Sequence, residues 1–117
     1  MMLAYLLTTF ICGVSDEPQT HRVFQFENEH VRVWKTVIMP RQPLKMHRHD
    51  CSRVVVGLKG GSLTKIEESG ETSELKFESG KAYWLTEDPP GTRHADVNES
   101  DEPIEVMVME LFGRDLV

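Results

Sequence analysis

Turn-forming residues interrupt this chain at short and nearly regular intervals. Glycine-containing pairs and prolines of this kind end strands and favour tight turns. No segment between them shows a helical period of apolar residues. Many short strands joined by such turns are typical of a β-sandwich or a β-barrel, so we predict an all-β fold. The clearest turn signals are Gly60-Gly61, Ser69-Gly70, Ser79-Gly80 and Pro89-Pro90-Gly91.

The segments between these turns have the composition of strands. In residues 30–39, Val31, Val33 and Val37 alternate with larger side chains, and we expect this strand to be buried on much of both faces. We expect Gly60-Gly61 to form a hairpin turn. The other predicted strands are a run centred on residues 54–56 and residues 62–67, 72–78, 82–85, 94–98 and 104–112.

Length and charge restrict the number of domains and the classes of partner. The 117 residues suffice for one domain, which we assign to residues 18–113. The 19 acidic side chains outnumber the 13 of lysine and arginine, and the net charge of −6 argues against nucleic acid or an anionic membrane surface as partner. Cys12 and Cys51 offer one pair at most, which is no disulfide framework.

Residues 1–15 form a separate, mostly apolar segment that is too short to span a bilayer as a helix. One interpretation is the apolar part of a secretory signal, cleaved before Asp16, although no lysine or arginine precedes it. The other is an N-terminal strand that packs on the barrel or on a neighbouring subunit. A cleaved signal predicts a periplasmic or secreted protein, and the alternative predicts a cytoplasmic one.

Two histidines at positions i and i+2, His47 and His49, precede the predicted strand centred on residues 54–56. In a strand such residues share a face, so both imidazoles could reach one metal ion. Forty-five residues after His49, the turn at Pro89-Pro90-Gly91 redirects the chain into a strand that starts at His94. Three imidazoles brought together by a closed barrel are a ligand set for a divalent transition metal.

At this point the chain resembles the cupin family, whose members are small jelly-roll β-barrels. The family's first motif, G-x5-H-x-H-x3-4-E-x6-G, is matched by His47, His49 and Gly60. The second motif, G-x5-P-x-G-x2-H-x3-N, is matched with correct spacing from its proline onward. A looser likeness, in the segment from His47 to Val56 and in the stretch from Phe24 to Val33, is to cupins of the β-alanine degradation protein type. The matching residues of the second motif are Gly80, Pro89, Gly91, His94 and Asn98.

The chain departs from these motifs at three places. Arg41 stands at the opening glycine of the first motif, and eight residues rather than five separate Gly80 from Pro89. Most importantly, Arg53 occupies the position of the usual glutamate ligand, and arginine cannot bind a cation. Either Arg53 leaves the barrel and pairs with a surface carboxylate, or it points inward. An inward Arg53 would need an anionic partner, either a substrate or a protein carboxylate such as Glu110.

Other residues near the motifs have open roles. Cys51 shares the parity of the histidines and of Arg53, so it is either a soft ligand or substrate neighbour, or a small residue of the barrel wall. Tyr83 and Trp84 would line or cap the barrel, with core packing as the default for aromatic residues in a strand. We interpret His21 and His30 as surface or edge residues.

The resemblance implies two functions. In the first, His47, His49 and His94 bind a metal, and Arg53, with Cys51 and Tyr83 nearby, binds a small carboxylate-bearing substrate. Such a site is similar to those of cupin thiol dioxygenases and of some diketone dioxygenases, so we expect iron, with nickel, zinc, copper or manganese as alternatives. In the second, the barrel binds a metal or a small anionic ligand without catalysis. Small cupins pair through sheet edges, so a homodimer is expected.

Overall fold

The computed structural model describes residues 18–113, and this part of the chain contains nine β-strands and no helix. The predictions for residues 1–15, namely a cleaved signal or an exchanged strand, lie outside the described residues. In chain order the strands are β1 His21–Glu27, β2 Val31–Ile38, β3 Leu44–His47, β4 Arg53–Lys59, β5 Gly61–Glu67, β6 Thr72–Phe77, β7 Ala82–Leu85, β8 His94–Val97 and β9 Ile104–Leu111.

The strands form two antiparallel sheets. One sheet has five strands in the order β1-β2-β9-β4-β7, and the other has four in the order β3-β8-β5-β6. Neighbours in each sheet are often distant in sequence, as in a jelly roll, where the chain passes repeatedly from one sheet to the other. The predicted all-β jelly-roll barrel is therefore confirmed. Among the described residues no helix is long and apolar enough to cross a membrane.

The core lies between the inner faces of the two sheets. Along β9, Ile104, Val106 and Val108 are buried and alternate with less buried residues, because successive side chains of a strand point to opposite faces. The opposite sheet contributes Leu63 and Phe77 to the same cluster. This alternation orients alternate residues of each strand, including those at the strand ends, toward the barrel interior.

The prediction of a hairpin at Gly60-Gly61 is wrong. The two strands that flank it, β4 and β5, belong to different sheets, so the pair carries the chain across the barrel. At Gly60 a Cβ atom would lie 2.3 Å from the carbonyl oxygen of Phe77, and this close approach leaves no room for a side chain. In contrast, Ser69-Gly70 joins β5 and β6, which do pair.

Two other stretches singled out in the sequence are not continuous strands. The stretch from Phe24 to Val33 is divided by a turn, in which the Asn28 side chain accepts hydrogen bonds from the amides of His30 and Val31 at 2.8 and 3.0 Å. Such Asx turns compete locally with strand pairing. The strand expected to carry both His47 and His49 ends at His47, so His49 lies in a loop.

The motif residue Asn98 holds the turn that precedes β9. It is fully buried, and its amide nitrogen donates to the carbonyls of Ile38 at 2.9 Å and Glu102 at 2.7 Å. Its side-chain oxygen accepts from the amide and the hydroxyl of Ser100, at 3.0 and 2.7 Å. All of the hydrogen-bonding capacity of this amide is therefore used inside the protein.

We expect Asn98→Ala to lower the free energy of unfolding by about 2–4 kcal/mol, since several buried polar groups lose their partner. Urea denaturation measures the change. The matched control is Asn28→Ala, which also removes a turn-forming asparagine but at an exposed position, and which should cost about 1 kcal/mol or less. Equal losses for the two variants would contradict the structural role of Asn98.

Candidate metal centre

Three imidazoles converge at one end of the barrel. His47 ends β3, His94 begins β8, and the two are direct partners in the register of these strands. His49 follows two residues after His47, and their Nε2 atoms are 3.0 Å apart. One nitrogen from each of the three rings lies within 4.8 Å of the others. The predicted grouping of His47, His49 and His94 is thus present in the geometry.

The spacing of these nitrogens suits a metal ion. Metal–nitrogen bonds of 2.0–2.1 Å place neighbouring ligands of an octahedral ion about 3.0 Å apart, and those of a tetrahedral ion about 3.4 Å apart. Two nitrogen lone pairs at 3.0 Å repel each other unless a proton or a cation lies between them. The His47–His49 pair therefore fits a shared cation.

The outer nitrogens of two rings face acceptors. His47 Nδ1 is 2.6 Å from the carbonyl oxygen of Lys45, and His94 Nδ1 is 3.5 Å from a carboxylate oxygen of Asp88. An Nδ1–H that donates to such an acceptor leaves Nε2 with its lone pair, as is usual for histidine ligands of metals. In both rings Nε2 is the nitrogen that faces the cluster.

Hydrogen bonds position His49 although it lies outside a strand. Its amide donates to the Asp88 carboxylate at 2.7 Å, and its carbonyl accepts from the Asp88 amide at 2.8 Å. Arg48 contacts the loop between β7 and β8 by donating a hydrogen bond to the carbonyl of Pro89 at 2.8 Å. Gly91 gives this loop its turn with a φ of 77°, which favours glycine. Asp88, at the start of this loop, thus holds His49 in position.

Burial favours the neutral form of His49 and His94. Burial, together with the positive charge of Arg53, lowers the pKa of His49 to about 3. Burial also lowers the pKa of His94. The Asp88 carboxyl behaves differently: burial alone would raise its pKa, but the His49 amide and nearby positive charges lower it overall. A neutral imidazole, as at His49 and His94, is the form in which histidine binds metals.

Arg53 points into the barrel and is only 6% exposed. Its guanidinium donates to the carbonyl of Thr86 at 3.2 Å, and in residues 18–113 no carboxylate oxygen lies within 4 Å of it. Burial lowers its pKa, opposed by more distant carboxylates, yet an arginine stays charged. Glu110, the register partner of Arg53 on β9, instead accepts a hydrogen bond from Trp34 at 3.1 Å and forms an ion pair with Arg32 at 3.7 Å. Arg53 is therefore a buried charge with incomplete compensation.

A cavity of about 270 Å³ connects Arg53 with the three histidines. Apart from these residues, Arg22, Thr36 and Asp96, its lining is apolar. It is large enough for a small organic molecule but lies below the usual volume of drug-sized sites. Its apolar walls consist of Ile38, Leu44, Val55, Leu63, Leu75, Phe77, Leu85, Val106 and Val108.

Other residues considered from the sequence lie apart from this cavity. Cys51 is half-buried in the loop before β4 and does not line the cavity, because the strand parity assumed for it fails between His47 and Arg53. Tyr83 packs edge-on against Phe77, and its hydroxyl accepts from the amide of Glu78 at 2.8 Å. Trp84 is 59% exposed and does not cap the barrel. We therefore leave these three out of the site.

The sequence prediction missed Asp96, which lies beside the histidines. It is 6% exposed, and one carboxylate oxygen, Oδ2, is 3.6 Å from Nε2 of His47 and 3.7 Å from Nε2 of His94. Burial raises the pKa of Asp96, opposed by the neighbouring imidazoles and Arg53. Its position two residues after His94 in β8 was a signal for the same inward face.

Comparisons with known proteins agree with this architecture. No protein-family model and no curated protein sequence matches the chain. Among solved structures, the chain is similar to a cupin domain from Bordetella pertussis Tohama I, with 26% identity and a TM-score of 0.70, covering 84% of this chain and 98% of that one. It also resembles an RmlC-like cupin family protein with a double-stranded β-helix fold from Methanocaldococcus jannaschii, with 16% identity and a TM-score of 0.58, covering 92% and 93%.

A third match is to a cupin superfamily protein from Desulfitobacterium hafniense DCB-2, with 8% identity and a TM-score of 0.59, covering 84% of this chain and 82% of that one. The three likenesses confirm that the chain has the small cupin fold. The looser resemblance to the β-alanine degradation protein type stays a prediction.

Proposed function

We propose that this protein is a metal-binding cupin that holds a divalent transition metal with His47, His49 and His94. The observation that carries the proposal is the convergence of three imidazoles, with two Nε2 atoms 3.0 Å apart, at a cavity that all three line. Nitrogen ligands of this kind suit iron, nickel, copper and zinc, and availability decides among these metals.

We further propose that the cavity receives a small organic acid. Arg53 supplies two parallel donors for a carboxylate, and no protein carboxylate among residues 18–113 occupies that place within 4 Å. The aliphatic and aromatic walls favour an apolar body of a few carbon atoms behind the acid group. The ligand would thus be oriented with its carboxylate on Arg53 and its remaining atoms near the histidines.

The activity that this arrangement supports best is that of a non-haem dioxygenase for small carboxylates. Iron bound by three imidazoles would supply oxygen activation and leave open coordination positions for substrate and oxygen. The chain's own residues would bind and orient the acid through Arg53, exclude bulk water with the apolar walls, and keep the imidazoles in place through Asp88 and the carbonyl of Lys45.

Oxygen consumption tests the enzymatic proposal. The metal-free protein is loaded anaerobically with Fe(II) and mixed with short thiol acids, β-dicarbonyl compounds and amino acids. We expect uptake of oxygen with at least one carboxylate-bearing compound, and no uptake with the corresponding amides. A protein that binds both Fe(II) and an acid but consumes no oxygen would favour the alternative, a cupin that binds without catalysis.

We also propose that the protein is a homodimer that pairs through β1. This edge strand is exposed along its whole length, and Phe24 and Phe26 are 52% and 51% exposed. Exposed apolar edge strands are natural pairing surfaces.

Light scattering should give about 27 kDa, twice the chain mass of 13.4 kDa. Phe26→Asp should give the monomer, whereas Glu29→Gln, at an exposed position outside β1, should stay dimeric. A monodisperse wild-type monomer would overturn this proposal.

A further inference from the structure

Within the described residues, the carboxylate of Asp96 is buried without the hydrogen-bond partners that such a group needs. It is buried, and its oxygen Oδ1 has no hydrogen-bond partner among residues 18–113. Its other oxygen, Oδ2, lies 3.6 and 3.7 Å from the Nε2 atoms of His47 and His94. Both distances exceed those of ordinary N–H···O hydrogen bonds. An ionised carboxylate buried in this way needs a compensating cation or donor.

A carboxylate near a metal-binding histidine either orients the imidazole or binds the metal itself, and the ring nitrogen that it faces distinguishes these roles. A carboxylate that only orients a histidine ligand lies on the outer nitrogen, as Asp88 does at Nδ1 of His94. Asp96 instead faces the Nε2 atoms. Because Nδ1 of His47 lies 2.6 Å from the carbonyl oxygen of Lys45 and donates to it, Nε2 of His47 carries a lone pair and has no proton to donate to Asp96.

The distances also match ligand positions around one ion. Neighbouring ligand atoms lie about 3.0–3.4 Å apart around octahedral and tetrahedral ions, so Oδ2 needs to move by only a few tenths of an ångström toward the two imidazoles. Among the described residues, no carboxylate oxygen is within 4 Å of a ring nitrogen of His49, so Asp96 approaches only the imidazoles of His47 and His94.

We infer that Asp96 supplies a fourth, carboxylate ligand to the metal held by His47, His49 and His94. This inference rests on the proposed metal site. The chain would thus have replaced the glutamate lost at Arg53 with an aspartate from a different strand, β8. The exchange frees the position of Arg53 for an acid-binding charge, while one carboxylate still offsets the charge of a divalent ion.

A cysteine at position 96 tests the contact directly. The cysteine side chain is one bond shorter than that of aspartate, but the Zn–S bond is longer than the Zn–O bond, so Asp96→Cys should bind Zn²⁺ with one sulfur ligand at about 2.3 Å in X-ray absorption. With Co²⁺ it should show a sulfur-to-cobalt charge-transfer band in the near ultraviolet. The wild type, which already contains Cys12 and Cys51, sets the baseline. Ala95→Cys, on the opposite face of β8, is the matched control and should match that baseline.

A second variant removes the ligand charge but keeps the shape. Asp96→Asn should weaken Zn²⁺ binding at least 100-fold by calorimetry, and its X-ray absorption should show one fewer protein ligand. The inference is overturned if Asp96→Asn binds Zn²⁺ within tenfold of the wild type, or if folded, metal-loaded Asp96→Cys shows no sulfur ligand. If the wild type itself binds no divalent metal, the proposed function fails as well, so the two failures are distinguishable.

Discussion

Replacing His47 and His49 together with alanine is expected to abolish tight binding of divalent transition metals. Four-ligand protein sites bind zinc with about 10–16 kcal/mol, or roughly 3 kcal/mol per ligand. Loss of two ligands should therefore weaken binding by about 6 kcal/mol, on the order of 10⁴-fold. Both imidazoles belong to the three-histidine cluster. The double variant therefore keeps only His94 of these three ligands.

Thermal unfolding provides the measurement. A metal that binds only the folded state stabilises it, by about 4 kcal/mol at a thousandfold excess over Kd. The wild type should thus gain several degrees in Tm when Zn²⁺ or Ni²⁺ is added, and the double variant should gain almost nothing. The matched control replaces His21 and His30, which are exposed and remote from the cluster, and should respond like the wild type. A double variant that retains the wild-type metal shift would refute the site.

The success of the sequence prediction depended on where residues lie relative to strand ends. The i, i+2 rule holds within a strand, and it would have placed Asp96 beside His94 had it been applied to β8. For His49 the same rule gave the right grouping for the wrong reason. This residue lies in a loop, and the two hydrogen bonds to Asp88 bring it to the site.

The same limit applies to Cys51. The alternation of side chains that groups Cys51 with His47 and Arg53 requires a continuous strand. Residues 48–52 are not in a strand, so the alternation does not predict where Cys51 points. Arg53 does point inward, because it begins β4 and shares the alternation of Val55. Local sequence patterns also cannot predict that the chain crosses between sheets at Gly60-Gly61. Only the long-range order of strands shows that β4 and β5 lie in different sheets.

Replacing Arg53 with methionine is expected to stabilise the metal-free protein and, at the same time, to weaken the binding of small carboxylates. In the part of the chain that the structure describes, the buried guanidinium makes a single hydrogen bond, to the carbonyl of Thr86, and has no carboxylate within 4 Å, so its charge is poorly compensated. Filling its place with an apolar side chain should therefore raise the free energy of unfolding by about 1–3 kcal/mol. The lost charge-assisted fork should weaken acid binding by about 3–4 kcal/mol, or roughly 10²–10³-fold.

Opposite signs in the two measurements identify a binding residue, because a residue kept for stability would lower the free energy of unfolding when it is removed. Urea denaturation and calorimetric titration with a short-chain acid provide these values. Arg53→Lys keeps the charge without the planar fork, so it should recover part of the affinity but none of the stability. Arg41→Met, at an exposed arginine, should change neither by more than about 0.5 kcal/mol. If Arg53→Met destabilises the protein and leaves acid affinity unchanged, Arg53 is structural and the carboxylate site must be abandoned.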